Sequence, residues 1–384
     1  MSTELRGRLL GGPAVVVAIA DGKIRSVVED KHPAEDLPYL VPGLVDIQVN
    51  GYGGFDMQNP ELKADEVVKL VRRLRQEGVT SFCPTIITHS QEQMVTAAKA
   101  IRQACEQYPD EGLSIAGLHL EGPFISSEEG PRGAHPSEHA RQPSYDEFKE
   151  VQAASGNRVS IVTLAPELPG AIELISKLAA DGVVVSLGHC NPTREDIQAA
   201  ALAGAKLSTH LGNGSHQMIP RHHNYIWEQL AEDRLIASLI TDTHHLPEAV
   251  VRTMFRAKGL ERVIIISDAA FPGGLKPGIY KNTYDVGTIE LRPDGYLGVP
   301  GTNRLAGSAS NLRQCVVGAR KMTDMSLTTL WPLASKQPAN LLGRSDLGRI
   351  TPGARADLVL FTEGENDLTV TETLVAGRTV YKRD

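Results

Sequence analysis

At 384 residues the chain is long for one small domain and short for three, and its 41% hydrophobic, 22% charged composition is ordinary for a globular protein. Lys and Arg number 39 against 46 Asp and Glu, a net charge of −7, which argues against a binder of nucleic acid or anionic membrane working through a basic surface. No run approaches the ~18 apolar residues of a membrane span. The N-terminus lacks the apolar core of a signal peptide, and the four cysteines form no C-x-x-C pair, which reads as reduced thiols in a cytoplasmic protein.

In chain order, the first elements are short strands. Ala14-Val-Val-Val-Ala-Ile-Ala and Lys23-Ile-Arg-Ser-Val-Val flank Asp21-Gly22, a hairpin signal. The last forty residues repeat this character in Ala356-Asp-Leu-Val-Leu-Phe and Leu374-Val-Ala-Gly-Arg-Thr-Val-Tyr. Both termini are therefore expected to build one small β-sandwich domain, residues 1–41 with 345–384, around a central domain over 42–344. In that centre, apolar β-branched runs fall at 44–50, 79–85, 113–121, 159–167, 183–189, 205–210, 236–242 and 262–268. Amphipathic stretches lie between them, for instance at 62–77, 92–107, 170–180 and 194–203. Eight such strands alternating with helices predict a parallel (β/α)8 TIM barrel in the α/β class. An open doubly wound sheet would carry G-x-G-x-x-G near its first strand, and Gly51-Tyr-Gly-Gly-Phe-Asp lacks that order. The turn-rich segment 271–304 reads as a hairpin flap over the site.

The chemistry lies in what ends each strand. Gln48 and Asn50, Thr85, Glu121, Glu167, His189, His210, Asp242 with His244 and His245, and Asp268 stand at successive strand ends. In such barrels the active site occupies the C-terminal face. One carboxylate and two imidazoles make a three-ligand site with an open position, the composition of a catalytic zinc. Glu121, His189 and His210 are the candidate ligands. Asp268 is then either a general base or a fourth ligand. His119 shares a strand face with Glu121 and suits packing below the metal. Gln48 and Asn50 are neutral amides and poor cation ligands, so one metal site is expected with no second beside it.

These motifs resemble the amidohydrolase superfamily. Val41-Pro-Gly-Leu-Val-Asp-Ile-Gln-Val-Asn-Gly is similar to its first barrel strand, and Gly348-Arg-Ile-Thr-Pro-Gly-Ala-Arg-Ala-Asp-Leu-Val to its return into the small β domain. Gly117-Leu-His-Leu-Glu-Gly-Pro-Phe, Val185-Ser-Leu-Gly-His-Cys-Asn-Pro-Thr, Ser208-Thr-His-Leu-Gly-Asn and Ile266-Ser-Asp-Ala-Ala resemble the branch that deacetylates N-acetylglucosamine 6-phosphate. The resemblance implies a cytoplasmic hydrolase of amino-sugar catabolism with one divalent ion per subunit. Zinc is expected first, with iron, cobalt and manganese as the other ions such a site takes. Glu121, His189 and His210 are its implied ligands, Asp268 its proton-transferring acid and His245 its catalytic, substrate-contacting histidine. Ala134 and His135 match a segment lining the sugar site, and Leu305, Ala306 and Gly307 a loop beside the acetamido group. Asn213 and Gly214 match positions that meet the sugar or phosphate. Arg221 stands where the family places a phosphate-binding arginine that crosses a homodimer interface. The loop after His210 departs from the family's H-L-x-N-A-M and carries His216, His222 and His223. The alternative is a related amidohydrolase deacylating another N-acyl amino sugar or an N-acyl amino acid.

Overall fold

The structure is a computed structural model, which describes residues 3–281, 287–302, 304–365 and 367–384. The chain begins with β1 (Thr3–Leu9), β2 (Ala14–Ala20), β3 (Lys23–Glu29) and β4 (Tyr39–Pro42). Gly43 alone separates β4 from the first barrel strand, β5 (Leu44–Val49). The other barrel strands are β6 (Val79–Ile87), β7 (Leu118–Glu121), β8 (Val159–Leu164), β9 (Val184–Leu187), β10 (Ala205–Ser208), β11 (Ile236–Ile240) and β12 (Val263–Ile266). They pair in parallel in sequence order from β5 to β12. The ring closes where the amide of Asp268 donates to the Gln48 carbonyl at 3.1 Å and that of Asn50 to the Ala269 carbonyl at 2.9 Å. The α/β barrel expected from the alternation is therefore the fold.

Its interior is filled by branched side chains. Ile47, Cys83, Ile161, Leu207, Ile240 and Ile264 form one buried cluster, as a packed barrel core requires. Helices α1 (Ala64–Arg75), α2 (Gln91–Gln107), α3 (Tyr145–Ala154), α4 (Ala171–Ala180), α5 (Arg194–Ala203), α6 (Tyr225–Ala231), α7 (Glu248–Lys258) and α8 (Leu312–Thr323) surround the strands. Helix α5 is started by a capping box in which Thr193 accepts from the Asp196 amide and Asp196 accepts from that of Thr193. One expected strand is shorter than its apolar run. Pro109–Gly112 turns helically, so the strand expected from residue 113 begins at Leu118.

Between β12 and α8 runs an antiparallel three-stranded sheet, β13 (Gly278–Lys281), β14 (Thr288–Leu291) and β15 (Leu297–Gly298). It occupies the segment expected to form a hairpin flap, although residues 282–286 and 303 of that segment lie outside the described residues. The chain ends in β16 (Leu358–Glu363), β17 (Leu368–Val375) and β18 (Arg378–Lys382). These join the N-terminal strands in one seven-stranded sheet of order β18-β17-β16-β4-β1-β2-β3. The sheet curls on itself, so that Val17, Ile19 and Ile24 pack against Leu358, Leu360 and Leu374. The small β domain is thus a single folded sheet with sandwich-like packing. Trp331 ties it to the barrel by donating from Nε1 to the Pro42 carbonyl at 2.8 Å and stacking on Phe361. No helix among the described residues is long and apolar enough to cross a membrane.

Candidate active site

Polar side chains gather where the apolar strands stop. Glu121 is the last residue of β7, while His189, His210, Asp242 and Asp268 each lie two residues past the end of a strand. His189, His210 and Asp268 have φ of 52°, 29° and 50°. The left-handed region costs an L-residue roughly 1–2 kcal/mol, and such costs concentrate at functional sites where packing over-determines the backbone. Here the cost turns three side chains from the barrel wall toward its axis.

The candidate ligands converge. His189 Nε2 lies 3.1 Å from Glu121 Oε1, His210 Nε2 3.0 Å from the same oxygen, and the two imidazole nitrogens 3.1 Å from each other. All three residues are buried and their ligating atoms fall within 4.8 Å of one another. The donor set fits a divalent cation. His189 Nδ1 is 2.9 Å from the Pro131 carbonyl, so it carries the proton and leaves Nε2 as a bare lone pair. Three electron-rich atoms at van der Waals separation, with at most one proton between them, repel unless a cation sits among them. Burial alone would raise the Glu121 carboxyl, yet the adjoining His189 and His210 imidazoles hold it well below the usual carboxylate range.

Asp268 stands beside this cluster without joining it. Its Oδ1 accepts from Asn50 Nδ2 at 2.7 Å and from Gln48 Nε2 at 3.0 Å. Gln48 Nε2 also donates to Glu121 Oε1 at 2.8 Å. The two amides thus present hydrogens, not lone pairs, to both carboxylates, and a second cation at this point would face N–H groups. Burial, reinforced by the Glu121 charge, raises the Asp268 carboxyl above its ordinary value. His119 sits below, with Nδ1 3.0 Å from the Ile47 carbonyl and Nε2 2.7 Å from Thr163 Oγ1. Burial lowers its imidazole to about 4, so it is a neutral packing residue.

A cavity of about 700 Å3 lies over this floor. Ala134, His135, Asn213 and Gly214 line one side, and His245, Leu305, Ala306 and Gly307 another. His135 Nδ1 is 2.8 Å from Thr88 Oγ1; burial and the neighbouring His189 keep its ring neutral. His245 Nδ1 is 2.8 Å from Asp242 Oδ2, which also accepts from Ser308 Oγ at 2.8 Å. That carboxylate fixes the imidazole tautomer and leaves Nε2 facing the cavity. Asp242 precedes His245 by three residues, and this spacing on a strand-end turn is the signal that pairs them. His244 turns away, to the Asp294 carbonyl at 3.1 Å. His216 lines the cavity mouth and lies 3.3 Å from Glu128, whereas His222 and His223 are exposed. Arg221 is also exposed and stands outside the cavity of its own chain. Arg132 and Arg304 line that cavity, and strand-end reasoning does not reach either because both lie in loops.

Comparison with known proteins agrees with this geometry. The amidohydrolase family model matches residues 39–380. The N-acetylglucosamine-6-phosphate deacetylase of Homo sapiens is 36% identical over 90% of this chain and 84% of its own. That of Bacillus subtilis is 33% identical over 95% and 92%. The crystal structure of the Thermotoga maritima N-acetylglucosamine-6-phosphate deacetylase superposes with a TM-score of 0.87 at 30% identity and full coverage of both chains. An aspartate-to-alanine mutant of the Mycobacterium smegmatis enzyme, in complex with N-acetyl-D-glucosamine-6-phosphate, superposes with a TM-score of 0.86 at 28% identity over 99% of each chain. The strand-end cluster, the order of its members along the chain and these full-length similarities place the protein in the amidohydrolase family, among its N-acetylglucosamine-6-phosphate deacetylases.

Proposed function

We propose that the protein hydrolyses the acetamide of N-acetylglucosamine 6-phosphate to acetate and glucosamine 6-phosphate, in amino-sugar catabolism. The observation that carries this reading is Asp268, a buried carboxyl beside the three-donor cluster, held by two side-chain amides from the end of the neighbouring first barrel strand. Glu121, His189 and His210 would hold one divalent ion per subunit, with zinc the proposed metal because two imidazoles and a carboxylate make a catalytic-zinc donor set. When bound, such an ion supplies Lewis acidity that acidifies water and polarises a carbonyl.

The side chains then move the proton. Asp268 takes a proton from the attacking water through Oδ, while the new C–O bond forms at the acetamide carbon. Either His135 or His245, both at the cavity wall, faces the oxygen that gains charge in the tetrahedral intermediate, where a donor stabilises it. As the C–N bond breaks, Asp268 returns its proton to the leaving nitrogen, giving the free amine and acetic acid, which gives up its own proton to become acetate. Gln48 and Asn50 hold the carboxylate in line throughout. Ala134, Asn213, Gly214, Leu305, Ala306 and Gly307 shape the sugar site.

The residues 1–41 with 345–384 are proposed as one domain and 42–344 as the catalytic one. The protein is placed in the cytoplasm, in keeping with four unpaired cysteines, and as a homodimer in which Arg221 reaches the neighbouring cavity. The test is metal content together with acetate release from N-acetylglucosamine and its 6-phosphate. Glu121→Gln is expected to lose both metal and activity. Asp268→Asn should keep the metal and lose roughly 10³-fold in turnover. An active Asp268→Asn enzyme would remove the aspartate from this role.

A further inference from the structure

We infer that His244 is a positioning residue: its imidazole fastens the turn between β14 and β15 to the strand-end turn that presents His245, and so fixes the cavity wall built on the flap. Its kinetic consequence rests on the deacetylase reading above.

The turn after β11 is built under strain. Thr243 has φ of 73°, a region that β-branched residues avoid. Such strain persists where the surroundings over-determine it, and it points to function. Here the Asp242 carboxylate does so. Its Oδ1 accepts from the His244 amide at 2.9 Å and the His245 amide at 3.0 Å, and its Oδ2 from Ser308 Oγ at 2.8 Å. Two successive imidazoles then serve different partners. His245 bonds Asp242 and lines the cavity, while His244 Nε2 donates to the Asp294 carbonyl at 3.1 Å. The His244 ring also meets the Tyr296 ring edge-on at 6.1 Å.

The turn that His244 holds is closed on itself. The Arg292 amide donates to the Tyr296 carbonyl at 2.8 Å and the Gly295 amide to the Arg292 carbonyl at 3.0 Å, while the Arg292 guanidinium lies over the Tyr296 ring. Among the described residues, the bond from His244 is the only hydrogen bond that reaches residues 292–296 from outside the flap. An ideal Cβ on Gly295 would lie 3.4 Å from His244 Nε2, so the two turns are in contact.

The cavity wall hangs from the strand that follows this turn. The Ala306 amide donates to the Leu297 carbonyl at 3.2 Å and the Val299 amide to the Arg304 carbonyl at 2.9 Å. Leu305, Ala306 and Gly307 line the cavity, with Ile289 of β14 beside them. The reaction floor is tied to the barrel instead, Asp268 through Gln48 and Asn50. Releasing His244 therefore loosens a wall that meets the substrate and leaves the floor that turns it over.

Steady-state kinetics on N-acetylglucosamine 6-phosphate, with amide hydrogen exchange across residues 288–298, test the assignment on the metal-loaded enzyme. His244→Phe keeps a ring against Tyr296 and removes the donor. It is expected to raise KM about 5-fold, the worth of one neutral hydrogen bond, with kcat and metal content unchanged. Exchange of the Arg292 and Gly295 amides should quicken. His244→Gln, which carries an N–H at similar reach, should recover most of both. Wild-type KM and exchange in His244→Phe would overturn the proposal. So would a fall in kcat without faster flap exchange, which would mean that His244 serves His245 alone. A glutamine variant no better than the phenylalanine one would remove the hydrogen bond as the cause and overturn it too. A wild-type enzyme that releases no acetate would sink the deacetylase reading, and the exchange comparison would then decide the anchor by itself.

Discussion

Asp46 is buried like the site carboxyls Glu121 and Asp268, and their neighbours separate their behaviour. Asp46 is buried at the start of the site strand and accepts from the Ser267 hydroxyl and amide. Desolvation nevertheless raises it from 3.8 to about 7. Between these values the folded protein keeps a proton that the unfolded chain has released, so stability falls as pH rises from about 4 to about 7. The full effect is about 4 kcal/mol at most. Denaturation midpoints at pH 5 and pH 8 should differ less in Asp46→Asn than in the wild type, and an unchanged pH dependence would exclude Asp46 as its source. At this scale the cluster of Glu121, His189, His210 and Asp268 was legible in the sequence because each is a polar residue terminating a buried apolar run. Asp46 shares a strand face with Gln48 and carried a weaker form of that signal. Arg304 carried none, since no periodicity anchors a loop residue to a face.

The strands were legible as elements because their apolar runs are continuous, as burial on both faces demands. Where the turn chemistry of Pro109–Gly112 intervened, an apolar run outlasted its strand. The Gly-rich turn after β5 was also visible, but its purpose was not. An ideal Cβ on Gly51 would lie 2.4 Å from the Phe55 carbonyl oxygen and 3.1 Å from the Phe271 amide. The turn therefore packs backbone against backbone between the first strand and the flap, and Asn50 is placed by it. Gly51→Ala should cost about 1–3 kcal/mol through overpacking and lower acetate release while the metal stays bound. A thermal melt and metal analysis of the variant check both, and wild-type stability with full activity would show that the turn yields freely.

At the scale of the molecule, barrel and small sheet share one apolar core, in which Val41, Val359, Phe361, Leu368 and Val370 of the sheet pack among barrel and helix residues, and polar contacts reinforce it. Arg313 on α8 donates to Glu77 at 2.9 Å and to the Leu368 carbonyl at 2.7 Å, and also pairs with Asp367. It thereby links the end of α1, helix α8 and β17. Removing one member of a buried charge network costs about 3 kcal/mol or more, because the remaining charge is left unpaired. Arg313→Leu is expected to lower the melting temperature and to make the C-terminal strands the first point of proteolytic attack. An unaltered melt would mean that apolar packing around Trp331 suffices. The sequence revealed that both termini build one β piece, yet not that its strands form a single curled sheet, since pairing partners so distant leave no local pattern.

That pairing has a bearing on how the protein is made. Leu40 sits opposite Leu360 in the finished sheet, so strand β4 leaves the ribosome long before its neighbour exists. At ~5–20 residues per second of synthesis the wait is tens of seconds. Throughout that time an open backbone edge stands directly upstream of the first barrel strand, and such an edge is a template for other chains. Translation that stops short of β16 leaves the edge bare for good, which makes incomplete products of this gene a seed for aggregation.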